Sequence, residues 1–434
     1  MSEGATERAA GLRAAWSLLR RNRDFRRLFW SSVISLGGDW FLFVALGGLI
    51  FEATGKATAI GVMILSQELP IFLATPWAGW LADHLDRRRL MVICDLARTA
   101  ICLAFLLVGP ENLWLGYVLL ASLSIFAAVF DPASSAAIPN VVDPEDLPTA
   151  NALGGSLWGT MLAVGAALGG VISTVFGRDT AFVVDAVSFA VSALLLAGVH
   201  RAFSQVHDGE EHVGIARATA ETVSYARDDH RVLALISVKF GFGLAAGVLA
   251  LIAVFAKEVF VAGDVGFGLL MAARGVGALI GPFFGHRLSG PNHERLMPTI
   301  AGSLAVFGLG YMALGVMPTL WMAALAILAA HLGGGSQWVL SSYGLQRLVP
   351  DRIRGRIFAF DFALITLSLG ISSLAAAVIA DHIGPRPAVM IAGGVAFAWA
   401  AAWWFLTRSV RRRPIFAGLG EPEEPVAPLT IAVE

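Results

Sequence analysis

Charged residues are scarce in this chain. Asp, Glu, Lys and Arg make up 15% of its 434 residues, whereas hydrophobic residues make up 57% and the mean hydropathy is +0.72. Soluble domains are about one quarter charged and about half apolar. The scarcity excludes a water-soluble globule, so lipid is the expected solvent. The net charge of −1 also offers no basic surface for nucleic acid.

Cysteine and catalytic motifs are nearly absent as well. Cys94 and Cys102 are eight residues apart on one predicted helix, too far for a disulfide, so we expect two free thiols. The sequence has no G-x-x-x-x-G-K-S/T loop for a nucleotide, and His84 and His286 are too isolated for a metal site. Residues 1–27 lack the apolar core of a signal peptide. We expect no enzyme, no ATP-driven pump, no cofactor and no metal.

Long hydrophobic runs are what the chain has instead. Twelve stretches of about 20 residues are long enough to cross about 30 Å of hydrocarbon as helices. We therefore expect an all-α membrane protein with twelve transmembrane helices in the inner or plasma membrane. The predicted spans are 28–51, 58–82, 90–109, 113–136, 151–176, 180–200, 232–256, 265–287, 296–317, 319–345, 357–380 and 386–407.

Two segments of the chain are similar to each other. PWAGWLADHLDRRRLM at 76–91 shares its Pro, Gly, Arg, Leu and Met positions with PFFGHRLSGPNHERLM at 282–297, 206 residues later. This pattern indicates an internal duplication, which is typical of transporters built from pseudo-symmetric halves. We expect two six-helix halves that rock about a site at the membrane midplane.

The duplication sets the expected domain organisation. The predicted parts are an N-terminal segment at 1–27, a first half at 28–200, a linker at 201–231, a second half at 232–408 and a Pro- and Glu-rich, disordered tail at 409–434. Most basic residues lie at the two ends and in the even-numbered loops. The odd-numbered loops hold only Lys56, Arg178, Lys257 and Arg386. This asymmetry predicts that both termini are cytoplasmic.

Ionisable side chains near the midplane are functional candidates because each costs at least about 2.5 kcal/mol to insert. Asp39 lies about eleven residues into the first span and Glu68 about ten into the second, which places both near mid-depth at about 1.5 Å per residue. Adding the 206-residue offset to Glu68 gives Arg274. The duplication thus places opposite charges at equivalent positions, where we expect a central pair or a shared cavity with Gln67 beside it.

These carboxylates have two interpretations. Asp39 or Glu68 can bind a proton in one facing state and release it in the other, which would couple transport to protons. Alternatively they form a static network, in which Asp39 caps an irregularity at adjacent glycines and Glu68 neutralises Arg274. Asp95 and Arg98, three residues apart on one helix face, are expected to pair locally.

The loop after the second span carries a family resemblance. GWLADHLDRR at 79–88 resembles the signature loop of the major facilitator superfamily, G-x-L-A-D-R-x-G-R-K, and departs from it at His84 and Asp86. RNRDFRRLFW, SLGGDW, AIPNVVDPEDLPTANAL and RLVPDRIRGRIFAFD are similar to the enterobactin-exporter-like branch, also called transmembrane secretion effectors. The resemblance covers nearly the whole chain, and one fold of this kind carries many cargoes.

The resemblance implies a cytoplasmic gate. Asp83 would face the N-terminus of the eleventh helix, where the helix dipole stabilises a carboxylate by roughly 0.3–1 kcal/mol. The alternative is that the basic residues of the loop only enforce topology. The expected gate residues are Gly79, Asp83, Arg87, Arg88, Asp131 and Asp361, with Arg87 or Arg88 as partners of the last two.

The resemblance also implies that helices one, four, seven and ten line the cavity. The expected lining residues on these helices are Asp39, Trp40, Lys239, His331, Gln337 and Trp338. Gly165, Gly169 and Gly170 resemble the glycine-rich antiporter motif of helix five, although Ala166 replaces its usual proline. Close helix packing alone also explains such glycines.

The expected function is proton-coupled efflux of a small amphipathic molecule, such as a drug, siderophore or secondary metabolite, by alternating access. The alternatives are a lipid or lysolipid translocator, an uncoupled facilitator, and a membrane sensor or scaffold that does not transport. The expected partners are the lipid bilayer, the substrate and protons, and a monomer suffices for this architecture.

Overall fold

The computed structural model describes residues 13–201, 203, 215–290, 295–412 and 415–416, without the side chains of 79, 80, 82–84, 148, 152, 215–219, 351 and 352. Within these ranges, twelve helices are long and apolar enough to cross a membrane, which confirms the predicted number. In chain order they are α1 Arg23–Thr54, α2 Ala57–His84, α3 Arg87–Ala104, α4 Leu113–Val141, α5 Leu147–Val175, α6 Arg178–Ala197, α7 His230–Val259, α8 Gly263–Ser289, α9 Leu296–Leu314, α10 Leu320–Leu348, α11 Asp351–Ile383 and α12 Pro385–Leu406.

Several helices extend beyond the apolar runs that predict them. α1 begins at Arg23, ahead of the predicted start at residue 28, because the Asn22 side-chain oxygen accepts a hydrogen bond from the Phe25 N–H at 2.9 Å. This bond satisfies one of the free N–H groups of the first turn. α7 ends in a π-helical turn at Phe255–Val259. The additional turns are polar or irregular, so a hydropathy pattern does not detect them.

The two halves repeat the same packing. In the first half α2 packs on α4 and α3 on α6, and in the second half α8 packs on α10 and α9 on α12. These equivalent pairs confirm two pseudo-symmetric six-helix halves. The halves meet where α2 runs along α11 and α5 runs along α8. A further helix, Ile215–Asp228, lies between the halves in sequence and packs on α7 and α11.

Glycines of α5 permit close approach to two other helices. A Cβ atom added to Gly169 would lie 2.9 Å from the Phe41 Cα of α1, and Gly165 faces α1 in the same way. A Cβ atom at Gly170 would lie 2.5 Å from the Asp264 carbonyl oxygen of α8. These glycines therefore allow α5 to contact both its own half and the other half at backbone distance.

Replacement of Gly170 by Leu is expected to lower the melting temperature of the purified protein, because overpacking a tight contact costs about 1–3 kcal/mol. The matched control is Gly155→Leu on the same helix, where no atom lies within 4 Å of an added Cβ. Tryptophan fluorescence during heating gives both values. Equal melting temperatures for the two variants would contradict the packing role of Gly170.

Candidate transport site

The charged side chains between the membrane faces are organised by half. We call the end of the bundle where α1 begins and α12 ends the terminal face, and the end where α1 leads into α2 the opposite face. The described structure has one buried charge cluster in each half, a single cation between the halves, and an ion-pair network at the opposite face.

The cluster of the first half is centred on Arg98 of α3, which is 4% exposed. Its guanidinium lies 3.6 Å from Asp95 Oδ1 and 3.9 Å from Asp39 Oδ2 of α1. Ser192 of α6 donates a hydrogen bond to Asp95 Oδ2 at 2.5 Å, and the Phe189 ring lies 4.4 Å from the guanidinium carbon. The predicted local pair of Asp95 and Arg98 is present, and Asp39 joins it.

Two more carboxylates face this cluster. Asp185 of α6 is fully buried and accepts hydrogen bonds from Cys102 Sγ and Ser188 Oγ, both at 3.2 Å. Asp131 of α4 is exposed and lies within electrostatic reach of Arg98. Four carboxylates thus surround one guanidinium among the described side chains. The cluster has an excess of negative charge, which a bound proton would reduce.

The cluster of the second half joins Lys239 of α7 to Asp361 of α11. The Lys239 Nζ lies 2.5 Å from Asp361 Oδ2 and donates a second hydrogen bond to Ser342 Oγ at 2.9 Å. Both charged side chains are buried, and the Trp338 ring lies 5.3 Å from the Lys239 Nζ. Lys239 and Trp338, both predicted for the cavity, therefore lie together beside Asp361.

In this conformation the ion-pair partner of Asp361 is Lys239 rather than Arg87 or Arg88. The family resemblance implies those two arginines as gate partners, but here Arg87 donates to the Ala136 carbonyl at 3.1 Å and Arg88 to the Val199 carbonyl at 2.7 Å. Lys239 is closer because α7 and α11 pack within one half. The surroundings of Gly79 and the side chain of Asp83 are outside what the structure describes, so the gating role of these two residues stays a prediction.

His331, another predicted cavity residue, lies within electrostatic reach of Arg274. His331 Nε2 of α10 is 2.8 Å from the Tyr311 hydroxyl of α9, and both side chains are buried. Gln337 is also fully buried, and its Nε2 has no hydrogen-bond partner among the described residues. Gln67 is half-buried on α2. His331 therefore belongs with Arg274, whereas Lys239 and Trp338 lie beside Asp361.

Arg274 of α8 lies at the junction of the halves. It is 7% exposed, and its Nε has no hydrogen-bond partner in the described part of the chain. The Trp158 ring of α5 lies 5.2 Å from the guanidinium carbon, and the Trp40 ring lies 6.1 Å from that of Trp158. Glu68 of α2 is within electrostatic reach of Arg274, but the expected central ion pair is not formed in this structure.

The opposite face contains a network that the sequence interpretation did not identify as a site. Lys257 Nζ lies 2.5 Å from Asp264 Oδ1 and 2.7 Å from Glu52 Oε1. Arg178 Nη2 lies 2.5 Å from Glu52 Oε1 and 3.2 Å from Asp264 Oδ2. Because these residues come from α1, α6, α7 and α8, the network joins the two halves. All four residues lie at the ends of predicted spans, and this shared position is the feature of the sequence that could have identified the network.

A second connection supports the network at the same face. Asp381 of α11 accepts hydrogen bonds from the N–H groups of Ala57 and Thr58, at 2.7 and 3.0 Å, and so caps α2 across the halves. The contact between these two helices continues to Gly370, where an added Cβ would lie 3.2 Å from the Glu68 Cβ. The halves are therefore held together from the opposite face to the level of Glu68.

Comparisons with known proteins agree with this architecture. A family model described as transmembrane secretion effector matches residues 13–412. Macrolide efflux protein A of Streptococcus pyogenes is 22% identical over 85% of this chain and 92% of that protein. The staphyloferrin A transporter of Staphylococcus aureus is 22% identical over 58% of this chain and 64% of that protein. The crystal structure of a bacterial homologue of the human lysosomal transporter Spinster covers 91% of this chain and 98% of its own, with 15% identity and a TM-score of 0.69.

Lys257→Met is expected to loosen the opposite face, because the ammonium contacts both Glu52 and Asp264. Spin labels at Leu107→Cys and Trp321→Cys, both exposed and in different halves, report the separation by pulsed EPR after both native cysteines are replaced by Ser. The distance distribution should shift to larger values. Lys56→Met, which removes an exposed cation at the same face, is the control and should leave it unchanged. An unchanged distribution in Lys257→Met would show that the network does not hold the halves.

Asp361→Leu is expected to destabilise the protein by about 3–5 kcal/mol, because it leaves Lys239 as an unpaired buried charge. The double variant Lys239→Met/Asp361→Leu should regain most of the lost stability, since two apolar side chains can replace a buried pair. Melting temperatures of the purified variants measure this. A double variant as unstable as Asp361→Leu alone would refute the assigned pairing.

Proposed function

Because the chain belongs to the transmembrane secretion effector family of the major facilitator superfamily, we propose that it exports a small amphipathic molecule and that protons entering at the Arg98 cluster drive this export. The family and the relatives named above are transporters rather than enzymes. The names of those two relatives support an efflux or siderophore substrate class for this chain.

The observation that supports proton coupling is the unequal exposure of the carboxylates around Arg98. The Asp39 side chain is 28% exposed, whereas Asp95 is fully buried, and both lie within ion-pair distance of the same guanidinium. Of these two carboxylates, Asp39 is therefore the one that a proton can reach first. Protonation of Asp39 would remove its attraction for Arg98, so the guanidinium would pair with Asp95 alone. The contact between α1 and α3 would thereby weaken. Glu68 is the second candidate because it lies at the junction of the halves.

Alternating access requires that the contacts at one face break while those at the other form. In this structure the opposite face is bridged by the network of Lys257, Arg178, Glu52 and Asp264. If the terminal face is cytoplasmic, as the basic residues predict, this arrangement is closed to the outside. The loop with Asp83, together with Arg87 and Arg88, would then form the gate that closes the cytoplasmic side in the other state. A monomer in the bilayer suffices for this cycle.

The close contacts of α5 fit this mechanism. Gly165 and Gly169 fix α5 to α1 of its own half, whereas Gly170 contacts α8 of the other half at the opposite face. A rocking motion of the halves can separate the second contact and retain the first. The resemblance of these glycines to an antiporter motif adds to this proposal.

Asp39→Asn is expected to abolish substrate movement that an imposed pH gradient drives in proteoliposomes, because the amide cannot take up the proton. Lipophilic dyes and siderophores are the substrates to screen, and Glu68→Gln is tested beside it. Glu111→Gln, which removes an exposed loop carboxylate, is the matched control and should retain at least half of the native rate.

If the native chain, Asp39→Asn and Glu68→Gln all move substrate equally fast under the pH gradient, the assignment of Asp39 or Glu68 as the proton site is contradicted. Movement that is independent of the gradient would favour an uncoupled facilitator. If no soluble compound moves, fluorescent lysolipids are the next substrates, and transfer of these would identify a lipid translocator. Absence of any movement would favour a sensor or scaffold.

A further inference from the structure

Among the buried cations that the structure describes, Arg274 is the one that forms no ion pair with an acid. A charged side chain between helices at mid-depth is costly and usually pairs with another group. The guanidinium stays protonated in proteins, so it cannot avoid this cost by becoming neutral. Yet its Nε is buried without a partner, and it forms no ion pair with the described carboxylates.

The buried acids near mid-depth are engaged elsewhere. Asp361 pairs with Lys239 at 2.5 Å, and Asp39 and Asp95 face Arg98. Asp264, on the same helix as Arg274, belongs to the network at the opposite face. Glu68 is the remaining acid within electrostatic reach of Arg274, and the two do not pair in this conformation.

The surroundings of Arg274 are suited to an apolar body next to an anionic group. Trp158 lies 5.2 Å from the guanidinium carbon and is 46% exposed, so one part of its ring system is available. Beyond it, the buried Trp40 Nε1 has no hydrogen-bond acceptor among the described residues. Two N–H donors without acceptors among the described residues therefore lie near one partly exposed aromatic ring.

We propose that this place is the substrate site, and that the exported molecule is an amphiphile with a carboxylate or similar oxyanion that pairs with Arg274 and an apolar body that packs on Trp158. The guanidinium fork matches a carboxylate in a bidentate arrangement, and the indole gives a large apolar contact. The proposal rests on the proposed export function and defines its substrate class.

The main alternative is that Glu68 is the permanent counter-ion of Arg274. The two hypotheses differ in the effect of removing one charge. If Glu68 is the counter-ion, Arg274→Gln and Glu68→Gln should each lower the melting temperature of the empty protein, because each leaves one charge unpaired. If a ligand supplies the anion, Arg274→Gln should raise the melting temperature or leave it unchanged, because it removes an uncompensated charge.

Binding to the full-length protein in nanodiscs tests the proposal directly. The probes are 1-naphthaleneacetate and the uncharged 1-naphthaleneacetamide, which share one apolar body, and isothermal titration gives their Kd values. The native chain should bind the carboxylate at least tenfold more tightly than the amide. This preference should vanish in Arg274→Gln, persist in part in Arg274→Lys, and remain in Lys56→Gln, which removes an exposed cation. Glu68→Gln should retain or strengthen it, since a competing anion is gone.

An equal preference in the native chain and Arg274→Gln would overturn the proposal, and so would a native chain that binds neither probe at millimolar concentration or does not distinguish them. Proteoliposomes from the same preparation, loaded with a lipophilic cationic dye, separate this result from failure of the export function. Dye movement without a carboxylate preference refutes the anion site and leaves export standing. A carboxylate preference that depends on Arg274, without movement of dye or carboxylate, supports the site and refutes export.

Discussion

Lipid does not solvate charge, and this constraint determines where the ionisable side chains of the bundle can lie. Two cations at mid-depth satisfy it within their own half. Arg98 faces Asp39 and Asp95, and Lys239 faces Asp361. The contact between Arg98 and Asp39 joins α3 to α1, and the contact between Lys239 and Asp361 joins α7 to α11. Breaking a buried pair is costly because it leaves a lone charge in a medium of low polarity. The clusters therefore help each half to behave as a rigid body.

The contacts between the halves are of a different kind. They consist of close backbone approaches, as at Gly170, and of ion pairs near the opposite face, where water can solvate the groups when they separate. Exposed ion pairs contribute only about 0–1 kcal/mol each. Glu52 is 55% exposed, whereas Lys257 and Asp264 are nearly buried, so the network is intermediate between a surface pair and a buried one. It can hold one conformation without preventing the change to another.

Hydropathy and the internal repeat predict the twelve helices and the two halves, because both follow from the length and order of apolar runs. The repeat also predicts that Glu68 and Arg274 lie at similar depth in different halves. Pairing is harder to predict, since it depends on which helices pack and on their rotation. Asp361 lies within reach of Lys239 because α7 and α11 are neighbours, a fact that no local pattern contains.

The opposite-face network shows a second limit of sequence interpretation. Lys257 lies in the π-helical turn Phe255–Val259, which shifts the phase of α7 relative to an ideal helix. A period of 3.6 residues continued through this turn assigns the wrong face to the residues after it. Glu52 and Asp264 come from other helices whose ends the apolar runs do not define. The partners of Lys257 therefore require the three-dimensional structure.

The charges of the two halves have diverged although the helices have not. Among the described residues around mid-depth, the first half holds more carboxylates than cations, whereas the second half holds Arg274 without an ion-pair partner. Under the proposed function, the first half binds a cation, the proton, and the second half binds an anion. A potential that is negative on the cytoplasmic side favours protons moving inward and anions moving outward, by about 2.3 kcal/mol per charge at 100 mV. A proton site in one half and an anion site in the other therefore make both movements add to the driving force for export, which two identical halves would not achieve.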